Sequence, residues 1–552
     1  MNGGNLKTYY RYTTMGIPFY FRDIVQQNKG VLRSILPQRC DRLYLDFNSV
    51  IHMSSQRVIA KRQWKDVEAL EKAIYNQITQ YTETIIDTCP PTQLLYIGID
   101  GVAPLAKMVQ QRKRRHLSAL QMQLINEFKA QNNIPYTSWD SNCITPGTNF
   151  MAKLNIHLKS YYKAKPRSFE IVVSGPDEQG EGEHKIIKYI KDLGDNDPFS
   201  DVIYGLDADL IMLCLSCKKR RLYLMRETTQ VTHQRGVQGY KYVDIDTLRS
   251  SVATHLYNKP DECFMLDYVC ICFLLGNDFL PHNLALDIKH DGLKSICHVY
   301  RQVFEETKET LIVLDEKNQT YQINAKFLKT FLTIVASQED DRIKKIISKH
   351  YDEPPRLPHV PSFHTPLDQF MHELNYMPIL KRNKVLDPEN DPAWKATYYH
   401  TLLQIMPSDI KAMDALCENF LQGIQWNVDY YFNNKFSHDW YYRYPLAPFV
   451  ADIIRYMSKL NNDSLPSIPK LNLTMTPVEQ LMVVLPHHSQ HLLPTNVIPI
   501  VSDVSSGVTH LYPTNFQVIT LCKTQLWECI PILPAIEVHK VKAALLPPAS
   551  VV

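Results

Sequence analysis

Two pairs of carboxylates mark the stretch between Ser174 and Leu210. Glu181 and Glu183 lie in Gly180-Glu181-Gly182-Glu183-His184, and Asp207 and Asp209 lie in Gly205-Leu206-Asp207-Ala208-Asp209. Short apolar runs of β type precede them, Ile171-Val172-Val173 and Val202-Ile203-Tyr204. Ligands and metals gather at strand ends in α/β sheets. Carboxylates collected at one sheet edge repel one another, and the cluster persists when divalent cations neutralise it; all-oxygen donors favour Mg²⁺ or Mn²⁺. A single acid beside a strand is more often a solvated loop residue, but two i, i+2 pairs set among glycines favour the metal. Three further acids are placed alike. Asp46 ends Leu43-Tyr44-Leu45-Asp46, Asp100 ends Leu94-Leu95-Tyr96-Ile97-Gly98-Ile99-Asp100, and Asp278 follows Leu275-Gly276-Asn277. Asp46 reads equally well as a helix N-cap.

The second constellation is basic, Lys107-Met108-Val109-Gln110-Gln111-Arg112-Lys113-Arg114-Arg115-His116. Leu117, Leu120, Leu124 and Phe128 continue it with helical spacing. Lys107, Gln111, Arg114 and Arg115 then share one helix face about 100° wide. Three cations and an amide on one face make a phosphate clamp, with arginine forks and a lysine point charge. A solvated basic face is the competing reading, and the nearby strand-end acid tips the balance towards the clamp.

The elements that must position these residues are legible in outline. Pro18 suits a first helical turn, with Phe19, Phe21 and Ile24 facing a core. Strands are expected at Leu43–Asp46, Leu94–Gly101 and Leu222–Arg226, and a helix from Val67 to Ile86 stopped by Cys89-Pro90-Pro91. The turn Trp139–Thr148 leads into another helix, and Phe264–Leu275 is apolar all round, a buried helix that turns at Gly276. Glu353–Pro361 is a proline-rich connection and the best boundary in the chain. Beyond it the sequence is rich in aromatics, most of them suited to a core or a domain interface.

With 552 residues the chain exceeds one simple core. Its 45% hydrophobic and 21% charged residues are those of a soluble globular protein, and a net charge of +3 means that a nucleic-acid partner requires local basic patches. The 31 tyrosines suit base stacking. The 12 cysteines, several inside apolar runs, point to a reducing compartment, and Cys214-Leu215-Ser216-Cys217 lacks the second ligand pair a zinc site needs. Neither a signal peptide nor an apolar run near 18 residues occurs, so no membrane is expected.

The motifs together resemble the 5′-to-3′ exoribonucleases of the Xrn family. Met15-Gly16-Ile17-Pro18, Leu45-Asp46-Phe47-Asn48-Ser49, Asp100-Gly101-Val102-Ala103-Pro104, Ser141–Thr148, Gly180–Lys185, Tyr204–Leu210 and Gly276–Pro281 occur in family order. Trp394-Lys395, Gly423-Ile424-Gln425-Trp426 and Gln480-Leu481-Met482 resemble its second block. The resemblance implies an α/β core of the PIN and flap-endonuclease type with a central mixed sheet, followed by a mainly helical block packed on it. It divides the chain into an extension (1–14), a nuclease core (15–295), a helical linker with the proline-rich connection (296–365) and a second block completing the pocket (366–552).

The implied activity is processive hydrolysis of 5′-monophosphate RNA to 5′-mononucleotides by two-metal catalysis, in RNA decay. Asp46, Asp100, Glu181, Glu183, Asp207, Asp209 and Asp278 fall on the family's metal-binding acids. Lys107, Gln111, Arg114 and Arg115 fall on its 5′-phosphate pocket, with Lys107 also catalytic. His52 and Trp394 fall where the terminal base is sandwiched. Two divalent cations, Mg²⁺ or Mn²⁺, single-stranded RNA and a monomer are expected, in the cytoplasm with the nucleus left open; an upstream decapping activity is one way to supply such ends. Gln179 stands where many members have proline, and fourteen residues precede Met15, the family's usual start. The chain resembles a compact form without the large C-terminal modules, a viral source being one open reading. A structure-specific DNA flap nuclease and a 5′-phosphate-sensing pseudonuclease are the alternatives; the clamp and the aromatic second block argue against the first, the full acidic set against the second.

Overall fold

The computed structural model describes residues 20–546 apart from 29, 62, 136–138, 195, 229–238, 258–263, 359–362, 461–463 and 470–472. The expectations for Met1–Thr14, for Pro18 and Phe19, and for the end of the proline-rich connection lie outside these residues.

Seven strands form one mixed sheet: β1 (Leu32–Arg33), β2 (Arg42–Asp46), β3 (Leu94–Gly98), β4 (Glu170–Ser174), β5 (Asp201–Tyr204), β6 (Leu222–Glu227) and β7 (Tyr240–Asp244), in the order β1-β7-β6-β5-β2-β3-β4. The pairs from β6 through β4 are parallel, and β7 and β1 add antiparallel at one edge. Every residue of β2, β3 and β5 is buried, as expected for strands covered on both faces. Alternate side chains serve two layers. Tyr44, Tyr96 and Ile203 face one cluster with Ile186, Ile190 and Ile211. Leu43, Leu45, Ile97 and Val202 face the other, with Ile74, Ile78, Phe150 and Leu154. Central β2 has β5 on one side and β3 on the other. The chain therefore leaves β2 in opposite directions and opens a crevice at the carboxyl ends of the strands.

Among the helices that frame the sheet are α1 (Tyr20–Gln27), α2 (Phe47–Ile59), α3 (Val67–Thr88), α4 (Leu105–Gln131), α5 (Asn149–Ala164), α6 (Gly182–Asp192) and α7 (Asp209–Ser216). In α1, Tyr20 and Ile24 are buried and Phe21 packs against the same core. Asp66 caps α3 by accepting from the amides of Glu68 and Ala69. Buried α8 (Met265–Cys272) runs into a short 3₁₀ turn at Phe273–Leu275 and stops at Gly276. Gly276 has φ +86°, and a Cβ there would meet the His282 amide nitrogen at 2.6 Å, so only glycine makes this turn.

The helical second block shares the first core cluster, which runs from Tyr44 and Ile211 to Leu416, Trp426 and Ile453. Its long helix α9 (Ile410–Val428) continues into a π-helical turn, Asp429–Asn433. The final segment wraps α4: Arg112 donates to the carbonyls of Pro534 at 2.6 Å and Leu511 at 2.8 Å, and the Ala103 amide donates to Gln480 Oε1 at 3.0 Å. A small hairpin, Ile312–Asp315 with Thr320–Ile323, interrupts the expected helical linker (296–365).

Candidate active site

The acids arrive at the crevice on successive strand ends. Asp46 is the last residue of β2 and pairs with Gly98 across the ladder. It also occupies the N-cap position of α2 but makes no capping hydrogen bond, so its carboxylate is left for the crevice. Asp207 and Asp209 follow β5, and Asp209 opens α7. The Gly180–Glu183 loop is laid on the end of β3. Gly101 and Gly180 are zipped by Gly101 N to Gly180 O at 2.8 Å and Gly180 N to Val102 O at 2.9 Å. A Cβ on Gly182 would meet Gly98 O at 2.5 Å, so this approach requires glycine and brings both flanking glutamates to the sheet.

Asp100 is bound on both oxygens: Gly182 N donates to Oδ1 at 2.7 Å and Asn48 Nδ2 to Oδ2 at 2.6 Å. It holds the glutamate loop against α2. Lys107, from α4, crosses to the acids, its Nζ 2.6 Å from Glu181 Oε2 and 2.8 Å from Asp278 Oδ2. Tyr430, in the π-helical turn after α9, donates its phenol to Glu181 Oε1. The sequence reading missed Tyr430; the cue was an aromatic run beside Gly423-Ile424-Gln425-Trp426, with nothing to tell which tyrosine faces the acids.

Burial pushes the carboxyls of Asp46, Glu183 and Asp209 well above the carboxylate range, with neighbouring carboxylates adding to the push and Lys107 opposing it. Asp207 is pushed up to about 6, again by burial, against the pull of Lys107. Burial also disfavours the Lys107 ammonium, but Asp278 and Glu181 outweigh it and hold the group well above its ordinary range.

Among the described residues no three acidic, histidine or cysteine side chains form a ready-made metal cage. The donor set nevertheless fits hard divalent cations. It is all oxygen, and Glu183 Oε2 and Asp209 Oδ1 are buried without a hydrogen-bond partner among the described residues.

The clamp sits one to two turns along α4. Gln111 and Arg115 are buried, and among the described residues Gln111 Oε1 and Arg115 Nη1 lack hydrogen-bond partners. Burial, with Arg114 alongside, lowers the Arg115 guanidinium to about 9. Half-buried His52 on α2 stands close enough that burial, Arg114 and Arg115 push its imidazole down to about 3. Neutral imidazole and paired guanidinia thus line the same end of the crevice. Trp394 does not join them. It is 5% exposed, packed edge-on against Phe449 and under the Lys395 ammonium in the helical block. Motif order could not reveal this, because the distance from Trp394 to His52 is set by the packing of the helical block.

Residues 15–228 match a family model described as the XRN 5′-3′ exonuclease N-terminus, and residues 259–360 and 390–547 match one described as the Xrn1 helical domain. The chain belongs to the Xrn family. It is 28% identical to 5′-3′ exoribonuclease 1 of Homo sapiens, across 96% of this chain and 34% of that protein. It is 26% identical to the enzyme of that name from Schizosaccharomyces pombe (96% and 48%) and 24% identical to 5′-3′ exoribonuclease 2 of Gallus gallus (96% and 70%). The chain thus spans between about a third and a half of the first two relatives. Its sheet is the PIN-like nuclease domain of the Xrn family, with the helical block against it. Among the described residues no helix is long and apolar enough to cross a membrane.

Proposed function

We propose that the chain is a processive 5′-to-3′ exoribonuclease that hydrolyses single-stranded RNA bearing a 5′-monophosphate and releases 5′-mononucleotides in RNA decay, in the cytoplasm or the nucleus. One observation carries the reading: a buried acidic cluster with orphaned oxygens adjoins a buried arginine–glutamine face with orphaned polar atoms, and Lys107 joins the two. Uncompensated buried charge is costly, so each half calls for a ligand of opposite sign. Residues 15–295 then act as nuclease core and 366–552 as the block that closes the pocket, through Tyr430, with 296–365 between them.

Asp46, Glu181, Glu183, Asp207 and Asp209 would hold two divalent cations, Mg²⁺ or Mn²⁺, with Asp100 and Asp278 acting partly through water. Bound there, such ions supply an activated water and stabilise the charge developing on the phosphorus and the leaving 3′-oxygen. Arg115, Arg114 and Gln111 grip the 5′-phosphate, and the buried Arg115 and Gln111 favour a monophosphate over a cap or triphosphate. Lys107 exchanges a carboxylate partner for the scissile phosphate. His52 offers a ring face to the terminal base, a contact worth about 1–3 kcal/mol; the buried Trp394 does not supply a second. The protein works as a monomer, and an upstream decapping activity is one source of its substrate.

Asp207→Ala tests this directly. RNA degradation should stop while binding of 5′-monophosphate RNA persists. Cleavage by the variant would remove the two-metal assignment, and loss of binding with the fold intact would separate the acids from the substrate reading.

A further inference from the structure

Helix α4 has a second working face. Ala106, Val109, Gln110, Lys113, Arg114 and Leu117 recur at i, i+3, i+4, i+7, i+8 and i+11 and form one wall of a cavity of about 330 Å³. That size is within the range of ligand pockets, about 300–1,000 Å³. The Leu275–His282 turn, Tyr441, Tyr442 and the segment Cys522–Pro531 form the other walls. The cavity shares Arg114 with the clamp and Asp278 with the acidic centre, so it adjoins the site.

Its chemistry suits an anion with a ring. Lys113 and Lys523 line it, and among the described residues neither ammonium has a hydrogen bond or ion pair. Burial and the neighbouring Arg112 pull Lys113 down to about 8, the condition of a cation lacking a counterion. Gln110 Oε1 is buried on the same wall and has no partner among the described residues. Phe279, Tyr441 and Trp527 supply aromatic surface. The acids present are engaged: Asp278 with Lys107, Glu528 with Lys289 at 2.7 Å, and Asp287 with His290.

We propose that this cavity is an exit site for the released nucleoside 5′-monophosphate, which passes from Arg114 to Lys113 and Lys523. The inference rests on the exoribonuclease reading. A clamp that recognises a 5′-phosphate on RNA also recognises it on the product. The product must therefore leave before the strand advances by one nucleotide, and the strand itself fills the side by which it entered. A cationic chamber beside the clamp, sharing Arg114 with it, provides the way out.

Binding is tested without catalysis, by photolabelling the full chain with 8-azidoadenosine 5′-monophosphate in the presence of a chelator. Label should map to α4 and Cys522–Pro531, and AMP should compete at least tenfold better than adenosine or inorganic phosphate. The double variant Lys113→Ala/Lys523→Ala should lose at least tenfold of the labelling, and Lys113→Arg/Lys523→Arg should restore it; both should melt like wild type. In degradation assays added AMP should lower kcat at saturating RNA. Label unchanged in the alanine variant, inorganic phosphate competing as well as AMP, or AMP raising KM alone would each overturn the exit site. An inactive wild type that still labels at Lys113 and Lys523 would count against the exoribonuclease reading and leave the nucleotide site standing.

Discussion

The acidic crevice and the basic clamp are both buried groups of like charge, yet they are built by opposite means. The acids come from four separate strand ends and one turn, brought together by backbone: the glycine contact at Gly98 and Gly182, the zipper at Gly101 and Gly180, and the left-handed turn at Gly276. The clamp comes from successive turns of one helix. The acids are partly compensated within the chain by Lys107 and Tyr430, whereas Arg115 Nη1 and Gln111 Oε1 have no partner among the described residues. Like-charged centres assembled from distant segments need internal counter-charge to fold at all; a helix face can carry its charges uncompensated because local bonds hold it. Lys107 belongs to both regions, and substitutions there and on either side test the contrast.

The largest effect is expected at Lys107. Lys107→Met removes the ammonium between Glu181 and Asp278. Breaking a buried pair from one side costs about 3–5 kcal/mol. Urea denaturation should show that loss without divalent cations and substantial recovery with Mg²⁺; equal stability in both conditions would mean that the acids do not depend on counter-charge.

Arg115→Ala should leave the melting temperature near that of wild type, because its Nη1 is unsatisfied among the described residues. Its cost should appear only with substrate. A charge-assisted hydrogen bond is worth about 1.5–3 kcal/mol, so preference for 5′-monophosphate over 5′-hydroxyl RNA should fall about 10- to 100-fold. An unchanged preference would put the phosphate site elsewhere.

Gly182→Ala forces a Cβ against the Gly98 carbonyl, 2.5 Å away. Overpacking of this kind costs about 1–3 kcal/mol. Calorimetry should find that loss together with weakened Mg²⁺ binding, since Glu181 and Glu183 move with the loop.

The smallest effect is a slope. Asp207, at about 6 when folded, lies above its unfolded value. Between those values the folded state binds more protons, so this group's contribution to stability is full below the unfolded value and is lost as pH rises through about 6. Without divalent cations, Asp207→Asn should flatten the stability profile between about pH 4 and 7 relative to wild type. An unaltered slope would contradict the crowding of the cluster.

The contrast also explains what was readable in advance. Strand ends at Asp46, Asp207 and Asp209, the apolar helix before Gly276 and the α4 face follow from periodicity and punctuation over a few residues. Tyr430 and the buried position of Trp394 do not: the first depends on a contact with Glu181 across 249 residues, the second on packing against Phe449 within the helical block. Strands β1 and β7 escaped for a related reason. β1 is two residues long, and Tyr240–Asp244 mixes polar and apolar positions at an antiparallel edge. The engagement of Asp100 by Asn48 and Gly182 was likewise invisible, because spacing alone makes it look like any other strand-end acid.

The most direct test supplies the purified protein and Mg²⁺ with one RNA carrying, in parallel, a 5′-monophosphate, a 5′-triphosphate or a 5′-hydroxyl. Release of 5′-mononucleotides from the monophosphate RNA alone is the predicted result. Equal degradation of all three, or binding without cleavage, would contradict the account of an acidic centre served by a phosphate clamp.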